Sequence, residues 1–121
     1  MPRLSVLIPV YNEARTIAEL LRRVLEAPIP IEKEVLLGDD GSNDGTREIL
    51  GALPPRPDLS IEFMPENVGR GGVIKHLLTK VTGDIVIHQD ADLEYDPNEY
   101  VALLAPILSG QADVVYGSRF K

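Results

Sequence analysis

Residues 85–94 read IVIHQDADLE, so that a short apolar run passes directly into a segment rich in carboxylates. A short apolar run bounded by polar residues is typical of a strand that is buried on both faces. We therefore predict a buried strand over residues 85–87, followed at its carboxyl end by Asp90, Asp92 and Glu94. Alternate residues of an extended chain point the same way, which brings the first two carboxylates to one side.

The rest of the chain alternates between strand-like and helix-like segments. Residues 4–8 are apolar and end at Pro9, whereas apolar residues between 17 and 25 recur at helical spacing. Asn12 and Asp44 are predicted to cap the first and second helices. We predict strands over residues 4–8, 34–37, 59–63 (nearer a sheet edge), 85–87 and 114–116, and helices between Asn12 and Pro28 and over residues 46–53, 70–81 and 97–108.

This alternation predicts an α/β fold in which a mostly parallel sheet is covered by helices on both faces. The 121 residues fit one such domain, over residues 1–121. Ligands of these folds bind beyond the carboxyl ends of the strands. Tyr11, Asp40 and Asp90 each follow a predicted strand at that edge, so we expect them to share one site.

Composition excludes several classes of function. A net charge of −7 argues against nucleic acid and against a polybasic membrane patch, because both partners bind basic surfaces. The chain has no cysteine and two histidines, which argues against disulfides, thiolate sites and a histidine-rich zinc site. No apolar run reaches membrane-spanning length and no signal-peptide core is visible, so we expect a cytoplasmic protein.

The acidic segment suits a divalent cation. Asp90 and Asp92 offer the hard oxygen ligands that Mg²⁺ and Mn²⁺ prefer, and Glu94 adds a ligand or holds a coordinated water. The alternative is a solvated acidic loop in which Asp92 forms a turn, and for an isolated motif this alternative is the commoner one. The position directly after a buried strand favours the metal site here.

Other loops carry groups that suit a nucleotide. Tyr11 offers an aromatic face to a base and Glu13 an acceptor to ribose. The carboxylates of residues 39–40 suit a base N–H or a ribose hydroxyl, although a tight turn with a helix cap is the structural alternative there. The glycine-rich turn over residues 67–72 lets backbone N–H groups approach a phosphate, and Arg119 follows the last predicted strand, where it suits a diphosphate oxygen.

Together, these segments resemble the family 2 glycosyltransferases of the GT-A fold, and in particular their dolichyl- and polyprenyl-phosphate sugar synthase branch. Because the segments follow the family's order over nearly the whole chain, their combination is far more specific than any one of them. The resemblance implies the Rossmann-like N-terminal half of a GT-A fold. The matching segments are SVLIPVYNE (5–13), DDGSNDGT (39–46), NVGRGG (67–72), residues 83–97 and DVVYGSRF (113–120).

The resemblance also implies an activity, namely inverting transfer of a sugar from a nucleoside-diphosphate sugar with Mg²⁺ or Mn²⁺ as cofactor. Asp90 and Asp92 are then the catalytic metal ligands, assisted by Glu94. The implied acceptor is a polyprenyl or dolichyl phosphate, which would bring the parent protein to the cytoplasmic face of a membrane. The implied nucleotide-sugar-binding residues are Pro9, Tyr11, Glu13, Gly38, Asp40, Ala91 and Arg119.

Two of the chain's departures from the family pattern lead to structural expectations. Gly38 stands where an apolar strand residue is usual, so we expect a wider base pocket or a weaker strand end. The chain stops at Lys121, so the acceptor-binding half is expected to be absent, and uncovered apolar surface is expected to cause homo-oligomerisation. Transfer to polysaccharide or protein acceptors is the alternative function. A non-catalytic nucleotide-sugar-binding or assembly module is the alternative from another class.

Overall fold

The computed structural model describes residues 3–89, and these residues form a four-stranded parallel sheet with helices on both faces. The predicted α/β fold is therefore confirmed over this range. The predicted helix over residues 97–108 and strand over residues 114–116 lie outside the described residues. In chain order the elements are β1 (Arg3–Val10), α1 (Ile17–Glu26), β2 (Glu32–Asp39), α2 (Thr46–Gly51), β3 (Leu59–Phe63), α3 (Gly69–Leu78) and β4 (Ile85–His88).

The strand order is β3-β2-β1-β4, so the chain moves outward from β1 to β3 and then crosses back over the sheet to β4. The two outward connections contain α1 and α2, and the returning connection contains α3. Because parallel crossovers are right-handed, the change of direction puts α3 on the opposite face from the other two helices. A change of direction of this kind opens a crevice at the carboxyl ends of the central strands.

The core has two parts, one on each face of the sheet. Alternate residues of β1 supply them: Leu4, Val6 and Ile8 face α1 and α2, whereas Leu7 faces α3. The first cluster is the larger, because α1 covers it with the apolar face that the sequence predicts at residues 17, 20, 21 and 24. The second is smaller and is closed by Val73 and Leu77 of α3.

The predicted cap at Asn12 is wrong. The first helix begins at Ile17 with Thr16 at the N-cap, and Asn12 instead has a left-handed backbone with φ of 52°. Asp44 lies one residue before the N-cap of α2, which is Gly45, and its carboxylate accepts the N–H of Thr46 at 3.1 Å. Asp44 therefore satisfies a free amide of the first turn from a position just outside the helix.

Element boundaries differ from the prediction at several ends. β1 and β2 extend over eight residues each, because each has a parallel partner on both sides that accepts and donates backbone hydrogen bonds beyond the apolar run. The helix predicted over residues 70–81 ends at Leu78, where the amides of Thr79 and Lys80 bond three residues back instead of four. The helix predicted over residues 46–53 ends at Gly51.

A buried polar network closes the amino-terminal edge of the sheet. Ser5 Oγ donates to a carboxylate oxygen of Glu34, and the same oxygen accepts the N–H of Thr82 at 2.8 Å. Gly83 donates its N–H to Ser5 Oγ at 3.0 Å, and a Cβ at Gly83 would lie 2.5 Å from that oxygen. This network fixes the start of β4 against β1 and β2 at the edge opposite the predicted site.

Candidate functional site

The carboxyl ends of the strands meet at one edge of the sheet, as the sequence predicts. Val10 at the end of β1 pairs with Asp39 at the end of β2, which also pairs with Phe63 at the end of β3. The chain leaves β4 at the same edge, where the N–H of Gln89 donates to the carbonyl of Leu7 at 2.9 Å. The structure thus brings the loops after β1 and β2 together, with the end of β4 beside them.

Five of the sequence-predicted site residues are in the described part of the chain. Pro9 and Gly38 are paired across β1 and β2, so they share one position along the edge. Tyr11 and Glu13 lie in the loop after β1, and Asp40 begins the loop after β2. The remaining predicted site residues, Asp90, Ala91, Asp92, Glu94 and Arg119, lie outside the described residues.

Tyr11 presents an exposed ring at this edge, with 48% of the residue accessible to solvent. A tyrosine with this exposure is available for stacking, because its ring is not part of the core. Glu13 is half-buried and turned toward the start of α1, where its carboxylate accepts a hydrogen bond from Thr16 Oγ at 3.2 Å. Its backbone carbonyl accepts the N–H groups of Thr16 and Ile17.

Hydrogen bonds between backbone and side-chain groups connect the loop after β1 to the loop after β2. The N–H of Asn12 donates to Ser42 Oγ at 2.8 Å, and Asn12 Oδ1 accepts the N–H of Asn43 at 2.9 Å. The next amide, that of Glu13, donates to Thr46 Oγ at 3.0 Å. The amide of Ala14 donates to the Asp44 carboxylate at 3.2 Å. Three residues of the loop after β2, together with Thr46 at the start of α2, therefore hold the backbone that follows Tyr11.

Asp40 ties the start of α3 to the same edge. It is 4% exposed, and its two carboxylate oxygens accept the N–H groups of Val68 and Gly69 at 2.7 and 2.9 Å. Its backbone carbonyl accepts Asn67 Nδ2 at 3.1 Å, and its own N–H donates to the carbonyl of Val10. The amides of Val68 and Gly69 in the glycine-rich turn are therefore both bonded to the Asp40 carboxylate.

Asp39 is fully buried and has a structural partner that the sequence does not reveal. Arg47 Nε donates to Asp39 Oδ2 at 2.7 Å, and Arg47 Nη2 donates to the carbonyl of Met64 at 2.6 Å. The guanidinium also lies 5.3 Å from the centre of the Phe63 ring. Of the two adjacent carboxylates, Asp39 therefore joins β2 to β3, and Asp40 faces the loops.

Gly38 lies where α3 packs against β2. It is buried in β2, and a Cβ there would lie 2.5 Å from Val73 Cγ1 of α3. The space that its missing side chain leaves is thus filled by the helix, which packs closely on the sheet. On this face, the missing side chain of Gly38 therefore makes room for α3 and leaves no open space.

Sequence reasoning missed the roles of Asn12, Asp39 and Arg47. Asn12 has one local signal, since asparagine tolerates the left-handed backbone that other side chains avoid. The pairing of Arg47 with Asp39 has no such signal, because it depends on the angle at which α2 leaves the sheet.

The family model for glycosyl transferase family 2 matches residues 5–121 of this chain. The chain belongs to glycosyl transferase family 2. Among curated proteins, it is 36% identical over 117 residues to an undecaprenyl-phosphate 4-deoxy-4-formamido-L-arabinose transferase of Sodalis glossinidius, covering 93% of this chain. The chain spans 19% to 36% of the length of the first curated relatives it matches.

Two solved structures share both fold and sequence with the chain. S. aureus TarS 1-349 in complex with UDP-GlcNAc superposes with a TM-score of 0.74 and 27% identity, covering 89% of this chain and 31% of that one. The mannosyltransferase PcManGT from Pyrobaculum calidifontis, in complex with GDP-Man and Mn²⁺, has a TM-score of 0.67 and 32% identity, covering 84% and 30%. These structures support the GT-A fold and the transferase class of this family member.

Within residues 3–89, no group of three or more histidine, cysteine, aspartate or glutamate side chains is arranged to hold a metal ion. The candidate metal ligands follow Gln89 and lie outside that range. Over the same described range, no helix has both the length and the apolar character to span a bilayer.

Proposed function

We propose that this chain is the nucleotide-sugar-binding portion of a metal-dependent, inverting glycosyltransferase that transfers a sugar to a polyprenyl or dolichyl phosphate. The single observation that carries the proposal is the convergence of the loops after β1 and β2 with the end of β4. This convergence brings Tyr11, which is exposed, and Asp40, whose carboxylate is buried and hydrogen-bonded, to the same edge of the sheet. Such a combination suits a ligand with an aromatic base and N–H or hydroxyl donors.

The nucleoside is assigned to the loops after β1 and β2. Tyr11 supplies the ring that stacks on the base, and the carboxylate of Asp40 accepts a further hydrogen bond from a base N–H or a ribose hydroxyl. Glu13 accepts from ribose, while Pro9 and the backbone of Gly38 form the floor between the two strands. The exposed ring of Tyr11 and the fixed carboxylate of Asp40 support this assignment.

The cation and the diphosphate are assigned to residues beyond Gln89. Asp90, Asp92 and Glu94 would hold Mg²⁺ or Mn²⁺, and the chemistry of three hard oxygen donors within five residues fits either ion. A bound cation would neutralise charge on the departing nucleoside diphosphate. Ala91 would contact the nucleotide sugar and Arg119 the diphosphate. This assignment is supported by Gln89, the residue before Asp90, because its N–H donates to the carbonyl of Leu7 in β1 near the shared edge.

The acceptor class is proposed from the named relative and from the chemistry of the reaction. The Sodalis protein is named as an undecaprenyl-phosphate transferase. A phosphate acceptor is already anionic, so it attacks the sugar without a strong base in the protein. The parent protein would meet such a lipid at the cytoplasmic face of a membrane, where nucleotide sugars are also present.

Calorimetry tests the binding assignment. UDP-, GDP- and dTDP-sugars are titrated into the chain with Mn²⁺ and, separately, with EDTA. We expect the nucleotide sugars of one of the three bases to bind in the presence of Mn²⁺. In EDTA, their dissociation constant should be at least tenfold higher. An Asp92→Ala variant should lose the metal dependence, whereas Asp84→Asn, at the opposite edge, should keep it. Absence of metal-dependent binding of all three would overturn the site.

Transfer of a radiolabelled sugar to a polyprenyl phosphate separates an enzyme from a non-catalytic binding module. Transfer to polysaccharide or protein acceptors in parallel assays tests the alternative acceptor class. We expect little transfer by the 121-residue chain alone, because it spans only 19% to 36% of the length of the first curated relatives it matches. We also propose homo-oligomerisation through exposed apolar side chains such as Phe63. Light scattering that gives a monomer mass at all concentrations would exclude it.

A further inference from the structure

We propose that Asn12 is a positioning residue of the nucleoside site, which holds Tyr11 and Glu13 in place by bonding reciprocally to the loop after β2. The inference rests on the proposed function as far as the ligand is concerned. The coupling of the two loops through Asn12 stands on the geometry of the described residues alone.

Asn12 and the loop after β2 exchange one hydrogen bond in each direction. The backbone N–H of Asn12 donates to the side chain of Ser42, and the side chain of Asn12 accepts from the backbone N–H of Asn43. Ser42 is buried, so its hydroxyl stays at this position and does not exchange freely with water. Each loop therefore supplies a backbone group and a side chain to the other.

The left-handed backbone of Asn12 makes this exchange possible. Its φ of 52° lies in a region that most side chains avoid, and asparagine is one of the few residues that adopt it readily. The turn at this residue directs the following amides, those of Glu13 and Ala14, at Thr46 and Asp44. A residue that abandoned the left-handed region would redirect all of these donors at once.

The bonding fixes the backbone and leaves the proposed ligand-contacting groups available. None of these four hydrogen bonds uses the phenol of Tyr11 or the carboxylate of Glu13. Asp40, on the other side of the same loop, has its own N–H bonded to Val10 of β1. The backbone next to Tyr11 is therefore held by Asn12, and the backbone of Asp40 is held by β1.

Site-resolved amide hydrogen exchange tests the coupling without any ligand. Asn12→Gly keeps the backbone conformation accessible and removes the acceptor, whereas Asn12→Asp keeps both. We expect protection of the amides of Asn43, Glu13 and Ala14 to fall about tenfold in Asn12→Gly and to persist in Asn12→Asp. Ser42→Ala removes the hydroxyl that accepts the N–H of Asn12, and it should lower protection of the same amides. Unchanged protection of the Glu13 and Ala14 amides in Asn12→Gly and in Ser42→Ala would overturn the inference.

Nucleotide affinity tests the consequence for the site. The probe is UDP, GDP or dTDP with Mn²⁺, whichever binds the unaltered chain most tightly. We expect Asn12→Gly to weaken binding about fivefold to tenfold, the order expected for a displaced hydrogen-bonding group, and Asn12→Asp to restore it to within about twofold.

Lys33→Met is the control for a purely structural effect. Lys33 Nζ bonds the carbonyl groups at the end of α1, away from the site, so its loss lowers stability without touching either loop. An equal loss of affinity in Lys33→Met would overturn the positioning role. If no diphosphate binds the unaltered chain, the proposed function fails, while the exchange measurements still decide whether Asn12 couples the loops.

Discussion

At the scale of single residues, Arg47 stabilises a buried charge. Its Nε bonds Asp39 Oδ2, and the side chain of Asp39 is inaccessible to solvent. The other oxygen of this carboxylate, Oδ1, is buried without a hydrogen-bond partner among residues 3–89. We expect Arg47→Met to lower the free energy of unfolding by about 3 kcal/mol, because it leaves this carboxylate buried without a cation. Urea denaturation measures the change. The double variant Asp39→Asn/Arg47→Met should lose less than Arg47→Met, and a loss below about 1 kcal/mol would contradict the assignment.

Glu34 makes stability depend on pH. Burial alone would raise the pKa of its carboxyl, but hydrogen bonds from Ser5 and Thr82 outweigh burial and lower the pKa below its ordinary value of 4.5. A lowered pKa in the folded state means that the carboxylate stabilises the fold above pH 4.5. This stabilisation is lost as the pH falls through the folded pKa. Urea denaturation at a series of pH values should therefore show a shallower acid-side slope for Glu34→Gln.

The control for this pH dependence is Glu32→Gln, two residues earlier on the same strand. Glu32 is exposed, and the substitution changes the net charge by the same amount. Its stability curve should run parallel to that of the unaltered chain. Equal slopes for all three proteins would show that Glu34 is not the group responsible.

At the scale of elements, the close approach of α3 to β2 depends on Gly38. We expect Gly38→Ala to lower the free energy of unfolding by about 1–3 kcal/mol, because the new methyl overlaps Val73 and α3 has to move. In Gly38→Ala/Val73→Ala the methyl is accommodated, so the double variant should lose less than the sum of the single variants. A double-mutant cycle in urea measures the difference, and strict additivity would mean that the two residues do not meet.

The elements also show which local signals are reliable. The apolar periodicity of residues 17–24 correctly predicts the buried face of α1, because that pattern reflects a contact that the whole helix makes. The predicted cap at Asn12 failed because asparagine suits both a helix cap and a left-handed turn. The competing partner is in another loop, because the N–H of Asn43 donates to the side chain of Asn12.

At the scale of the whole molecule, the two edges of the sheet have different roles. The amino-terminal edge is closed by the network around Ser5 and Glu34, and the carboxyl edge carries the exposed ring of Tyr11. We expect Tyr11→Ala to weaken binding of the preferred nucleoside diphosphate roughly tenfold through lost stacking, with little change in melting temperature. Calorimetry and thermal denaturation measure the two effects.

Leu78→Ala is the matched control for Tyr11→Ala. Leu78 is 49% exposed, close to the value for Tyr11, and it ends α3 at the amino-terminal edge. It should leave both the affinity and the melting temperature nearly unchanged. If Leu78→Ala weakened binding as much as Tyr11→Ala, the loss would reflect general surface effects and not stacking at the site.

The amino-acid sequence alone determined the α/β alternation, the strands of the core and the edge at which Tyr11 and Asp40 meet. The elements follow from the periodicity of apolar residues along each segment. The shared edge follows because ligands of parallel sheets bind beyond the carboxyl ends of the strands. Only the tertiary structure decided that Asp40 bonds the start of α3 and that Gly38 faces Val73. Contacts between single groups some 30 residues apart depend on how the helices pack on the sheet. Such contacts produce no repeating pattern in the sequence from which they could be predicted.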